Sequence, residues 1–109
     1  MNLLPFFRRR PTLDLQLATL VRTLSDACQT EVWNRVRDQV FDMDVAEARG
    51  YIRARAMAPV RHRIPAVVSG VAVLSTAQQA RLTTHATDRV VQRILCEMAA
   101  GSSVGRRAA

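Results

Sequence analysis

Residues 12–29 read TLDLQLATLVRTLSDACQ, and the spacing of their apolar side chains decides the fold class. Leu13, Leu17, Leu20 and Leu24 follow one another at intervals of four, three and four residues, which is the spacing of one helix face. Thr12 is a favourable N-cap residue immediately before this pattern. The stretch therefore predicts an α-helix over residues 12–29.

Three further segments carry helical signals: residues 30–41, 45–58 and 76–100. The last of them follows a capping-box pattern formed by Ser75 and Gln78, and it precedes Gly101, a residue favoured just after a helix. The threonine-rich residues 83–87 leave open whether this segment is one helix or two. Residues 45–58 form a third helix or continue the second after a kink.

The connection between these segments is harder to assign. Pro59 and Pro65 bracket the sequence PVRHRIP, which predicts an extended basic link rather than a helix. Residues 66–74 are rich in valine and suit either a short strand or one to two helical turns. We expect helix there, because no second strand is available for pairing. The overall prediction is an all-α fold, a small bundle of four or five helices.

The domain organisation follows from these assignments. Residues 12–101 form a single helical domain, because 109 residues suffice for one core and no more. Residues 1–11 contain two prolines and predict an irregular N-terminal arm, and residues 102–109 predict a flexible tail.

The charge of the chain is strongly basic and unevenly distributed. All sixteen basic residues are arginine, and the formal net charge is +7. Arginine enrichment reflects either the codon usage of a GC-rich genome or selection for a side chain that binds phosphate and carboxylate bidentately. The forty residues 48–87 contain no carboxylate. Their candidate partner- or phosphate-binding residues are Arg49, Arg53, Arg55, Arg61, His62 and Arg63.

This basic stretch admits several interpretations. Arg55 follows Tyr51 by one helical turn, so its cation can stack on the ring. Together the arginines suit phosphates, acidic lipid headgroups or a carboxylate-rich partner. The alternative is a solvated face that the acidic residues of the first helices partly neutralise.

The leucine stripe of the first helix is a candidate oligomer seam. Leu13, Leu17, Leu20 and Leu24 have heptad-like spacing, although an intramolecular bundle uses the same pattern. Aromatic residues make up only 5% of the chain, so a monomer would have few large core side chains. Burial against a second copy would supply additional apolar area. We therefore expect a homodimer or larger oligomer.

The N-terminal arm is a candidate contact surface of its own. Its apolar and basic members are Phe6, Phe7, Arg8, Arg9 and Arg10. They suit a lipid interface, a hydrophobic groove on this chain or a partner, or an unstructured end.

Several classes of function find no support in the sequence. There is no P-loop, no G-x-G-x-x-G and no nucleophile elbow, and neither histidine lies at ligand spacing, so we expect no enzyme, metal or cofactor. Cys28 and Cys96 are interpreted as reduced core thiols, with a single disulfide as the alternative. The longest apolar run is too short to cross a bilayer, and the N-terminal charge order is not that of a secretory signal, which predicts a cytoplasmic protein.

The sequence thus predicts a non-enzymatic helical interaction or assembly protein that self-associates and offers a basic surface to an acidic partner. The first alternative is a nucleic-acid-binding protein whose arginine patch contacts phosphates without reading bases. The second alternative is a peripheral membrane protein that is anchored through its N-terminal arm.

Overall fold

A computed structural model describes the backbone of residues 3–69 and 73–108, and the side chains of residues 16–69 and 73–100. The described chain is all-helical, as predicted, but it has three helices instead of four or five. They are α1 (Leu3–Val40), α2 (Val45–Val68) and α3 (Thr76–Ala108).

Helix α1 joins the two helices that were predicted over residues 12–29 and 30–41. Its core-facing side chains occur at every fourth position without a break. They are Leu20, Leu24, Cys28, Val32, Val36 and Val40. Because this row passes through residues 29 and 30 unchanged, ending the helix there would remove half of it from the core. The predicted boundary at Thr30 is therefore wrong.

Helix α2 passes directly through the segment that was predicted to be an extended link. Pro59 and Pro65 both lie inside it, although proline in a helix interior costs about 3 kcal/mol relative to alanine. Val60 and Ile64 fall in the same segment and are buried, and each contributes about 1.5 to 3 kcal/mol by leaving water. The link prediction is wrong because tertiary burial offsets the cost of the two prolines.

The start of α2 is set by Asp44. Its carboxylate accepts a hydrogen bond from the backbone N–H of Glu47 at 2.8 Å, as an N-cap does. A short turn at residues 41–44 therefore separates α1 from α2, and α2 does not continue α1 through a kink.

The connection between α2 and α3 is only partly helical. Residues 66–68 belong to the end of α2, whereas residues 73–75 have no regular structure, and residues 70–72 lie outside the described part. The prediction of helix over residues 66–74 is therefore confirmed for residues 66–68 and wrong for residues 69, 73 and 74.

The predicted capping box at the start of α3 is confirmed. The backbone N–H of Ser75 donates to Gln78 Oε1 at 2.8 Å, and the Gln78 N–H donates to Ser75 Oγ at 3.1 Å. The helix does not split in its threonine-rich stretch, where the Thr83 hydroxyl donates to the carbonyl of Gln79 at 2.9 Å. A helix end at Gly101 is not confirmed, because α3 extends to Ala108.

The arm and the tail are not confirmed as irregular segments either. Helix α1 begins at Leu3 and so includes residues 3–11 of the predicted arm, and α3 includes residues 102–108 of the predicted tail. The side chains of residues 1–15 and 101–109 lie outside the described part.

One apolar core holds the three helices together. Helices α2 and α3 each bury a row at four-residue spacing, as α1 does: Ala48, Ile52, Ala56, Val60 and Ile64 on α2, and Leu82, Ala86, Val90 and Ile94 on α3. Such rows are the ridges through which packed helices interdigitate. Asp26 of α1 pairs with Arg93 of α3, and Gln29 bonds Glu97, so these two helices run in the same direction.

Candidate interaction surface

The arginines of α2 do not form one continuous patch. Arg53 pairs with Asp88 of α3, whereas Arg63 pairs with Glu31 of α1 at 3.1 Å. Because these partners lie on different neighbouring helices, Arg53 and Arg63 occupy opposite flanks of α2. The side chains remain about half exposed, so each pair adds only about 0 to 1 kcal/mol to stability.

The other residues of the predicted patch lie on the exposed surface of α2. Arg55 stacks on the Tyr51 ring with its guanidinium carbon 4.5 Å from the ring centroid, as the one-turn spacing predicted. Arg61 lines a groove of about 500 Å³ between α2 and α3. Arg49 and His62 are exposed. Within the described part of the chain, Arg49, Arg55 and Arg61 have no carboxylate in ion-pair range.

The predicted leucine seam divides between core and surface. Leu20 and Leu24 are buried in the core of the single chain, at 5% and 0% exposure. Leu17 is only partly buried and packs against the edge of that core. The side chain of Leu13 lies outside the described part, as do those of Phe6, Phe7, Arg8, Arg9 and Arg10.

A second groove, which the sequence did not predict, lies between α1 and α3 and measures about 500 Å³. Its lining combines apolar side chains with two arginines and a histidine: Leu17, Ala18, Val21, Arg22, His85 and Arg89. We call this set the basic groove. The Arg89 Nε is buried and has no hydrogen-bond partner among the described residues. A buried donor without an acceptor is costly, so an incoming acceptor would be favoured here.

The basic groove left only a weak signal in the sequence. Leu17 and Val21 are four residues apart on α1, as are Ala18 and Arg22, so the two members of each pair are neighbours on the helix surface. Their juxtaposition with His85 and Arg89 depends on the parallel register of α1 and α3, which no local pattern specifies.

The turn that joins α1 to α2 is acidic, in contrast to the basic groove. Residues 38–47 contain no arginine, and their carboxylates are Asp38, Asp42, Asp44 and Glu47. We call residues 38–47 the acidic turn. The Glu47 N–H bond holds the pKa of the Asp44 carboxyl below its ordinary value of 3.8, so this group is ionised at neutral pH.

The acidic turn also exposes large apolar side chains. Phe41 is 59% exposed and Val45 is 64% exposed. Phe41 rests with its ring edge against Trp33, with 6.0 Å between the ring centroids, so the ring is held in a defined position. An exposed aromatic ring flanked by carboxylates is a plausible contact for another protein surface.

The two cysteines are both free thiols but differ in environment. Cys28 is buried and its Sγ lies 3.6 Å from the carbonyl oxygen of Pro59, to which it donates. Burial raises the pKa of the Cys28 thiol, which disfavours the reactive thiolate. Cys96 is exposed on α3, so its prediction as a core residue is wrong.

The described residues also bear on metal sites and on membrane-spanning helices. Across residues 16–69 and 73–100, no three histidine, cysteine or carboxylate side chains are grouped closely enough to hold a metal ion. None of the described helices has a stretch that is both long enough and apolar enough to span a bilayer. Comparison of the chain with protein-family models, with curated proteins and with solved structures finds no match.

Proposed function

We propose that this chain is a non-enzymatic helical assembly protein that self-associates and presents a basic surface to an acidic partner. One observation carries the proposal: the described helices hold exposed arginines that the fold does not neutralise. Arg22, Arg49, Arg55 and Arg61 have no carboxylate in ion-pair range within the described part.

The arginines fall into two groups, those that pair with another helix and those that do not, and this difference supports a binding role. Arg53, Arg63 and Arg93 connect helices by pairing with carboxylates of a neighbouring helix. The other exposed arginines connect no helices within the described part, and their planar guanidinium groups suit carboxylates. Single exposed ion pairs are weak, so an acidic partner would engage several arginines together.

Self-association draws its support from exposed apolar side chains. Leu20 and Leu24 are buried in the core of a single chain, so a second copy cannot contact the whole leucine seam. Leu17 at the edge of the core, and Phe41 and Val45 at the acidic turn, remain accessible. Burying them in an interface would contribute to association through the loss of apolar area from water.

The nucleic-acid alternative rests on a different feature of the same surface. Arg49, Arg55 and Arg61 give α2 an excess of positive charge that would attract phosphates without base recognition. Arg53 and Arg63 form ion pairs on opposite flanks of α2, so the positive charge on this helix is not continuous. The assembly function is therefore the better supported of the two.

Light scattering after size exclusion tests the proposal, with the ratio of absorbance at 260 and 280 nm recorded for co-purified nucleic acid. We expect an oligomer free of nucleic acid at low salt. A monomer that carries nucleic acid, released at high salt, would contradict the proposal and favour the alternative. In that case Arg55→Glu with Arg61→Glu should abolish the nucleic-acid binding.

A further inference from the structure

The basic groove and the acidic turn have opposite charge and matching apolar content. The groove has Arg22, His85 and Arg89 above a floor that includes Leu17 and Val21. The acidic turn has four carboxylates and the exposed aromatic ring of Phe41.

These two surfaces cannot meet within one chain. Arg22 and Asp38 lie on the same helix, α1, and are sixteen residues apart. At 1.5 Å per residue, that separation is about 24 Å along a rigid helix axis. Only the acidic turn of another molecule can therefore reach the basic groove.

We propose that the basic groove binds the acidic turn of a second copy of this chain, so that copies associate head to tail. The inference rests on the proposed self-association and names the two surfaces that carry it. Charge complementarity selects this occupant: the groove is cationic, and the acidic turn is a ten-residue segment of the same chain with carboxylates and no arginine.

The chemistry of the contact follows from the two linings. The Phe41 ring, which protrudes from the turn, packs on Leu17 and Val21 of the partner copy's groove. The carboxylates of Asp38 and Asp42 accept hydrogen bonds from the guanidinium groups of Arg22 and Arg89. This arrangement also brings an acceptor toward the buried Arg89 Nε, which has none among the described residues.

A contact between two different surfaces has a structural consequence. It is heterologous, so it closes into a ring or continues as an open chain rather than stopping at a symmetric dimer. The average mass should then exceed that of a dimer as protein concentration rises, and it should fall as salt screens the charges.

Charge reversal tests the assignment on the full chain. The groove variant carries Arg22→Glu and His85→Glu, and the turn variant carries Asp38→Arg and Asp42→Arg; all four side chains are exposed, so the core is untouched. A matched control, Asn34→Glu with Ala54→Glu and Ala58→Glu, makes the same net charge change at exposed positions that belong to neither surface. Association is measured by sedimentation velocity at low salt, and folding by circular dichroism.

We expect the groove variant and the turn variant each to associate at least about tenfold more weakly than the wild type, because attraction becomes repulsion. The control should associate within about threefold of the wild type. An equimolar mixture of the groove and turn variants should recover association, because each reversed surface then meets its opposite charge on the other variant.

Three results would overturn the inference. If the wild type associates and the groove variant or the turn variant does so equally well, this contact is wrong while the assembly function stands. If the control weakens as much as the other variants, net charge and not the groove governs association. A wild type that stays monomeric overturns both self-association and head-to-tail docking, and binding of poly-glutamate to the groove would then identify a different acidic occupant.

Discussion

Replacing Pro65 by alanine should stabilise the protein, because the structure places this residue inside α2. Proline at this position has no N–H for the carbonyl of Arg61, four residues earlier, and its ring crowds that carbonyl. Pro65 is exposed, so the substitution removes no buried packing. Pro65→Ala restores a helix hydrogen bond at little cost elsewhere.

The expected magnitude follows from helix propensity. Proline is about 3 kcal/mol less favourable than alanine in a helix interior, so the free energy of unfolding should rise by up to about 3 kcal/mol. Pro59 provides a graded comparison, since it is buried. Pro59→Ala loses two buried methylene groups, each worth about 0.8 kcal/mol, which reduces the expected gain to about 1 kcal/mol.

Urea unfolding followed by circular dichroism measures both effects. With an m-value of about 2 kcal/mol per molar, Pro65→Ala should raise the midpoint by about 1 to 1.5 M without changing m. An extended link would give the opposite sign, since losing a proline from a compatible loop costs about 0.4 to 1 kcal/mol through the unfolded state. A lower midpoint for Pro65→Ala would therefore refute the continuous helix.

Three other experiments probe the core, the two thiols and the N-cap of α2. Leu24 is fully buried, so Leu24→Ala should lower the free energy of unfolding by about 2 to 5 kcal/mol in the same urea assay, and a loss below about 1 kcal/mol would contradict its central position. An aromatic disulfide reagent should modify Cys96 alone in the native protein, and Cys28 only after unfolding; rapid modification of two thiols in the native state would show that Cys28 is accessible. The folded-state pKa of Asp44 is lowered, so its contribution is present above the unfolded pKa and is lost as pH falls through the folded pKa. As the pH falls below about 4, the wild type should therefore lose stability more steeply than Asp44→Asn, which keeps a capping oxygen. Parallel curves would refute the capping role.

The helical class was predictable because all three helices carry apolar residues at helical spacing. The helix boundaries were harder to predict than the fold class, for physical reasons that α1 and α2 illustrate. Thr30 is a good cap residue, but the buried row from Cys28 to Val32 continues past it, and core packing prevails over the local signal. Pro59 and Pro65 are strong local breakers, but burial of Val60 and Ile64 offsets their cost.

The candidate site was predictable only in part. The stacking of Arg55 on Tyr51 follows from helical spacing, and the structure contains it. The separation of Arg53 from Arg63 cannot be predicted from helical spacing. It depends on the positions of Asp88 and Glu31 on different helices. The basic groove likewise arises from the register between α1 and α3, which is a property of the packed bundle.

Sedimentation velocity of the wild-type protein over a concentration series, at low ionic strength and at about 1 M salt, tests whether the chain self-associates through charged surfaces. We expect an average mass that rises above the 12.1 kDa of one chain as concentration increases at low salt. At high salt, where the screening length is about 3 Å, the mass should return toward that of one chain. A mass of 12.1 kDa at every concentration in low salt would contradict self-association.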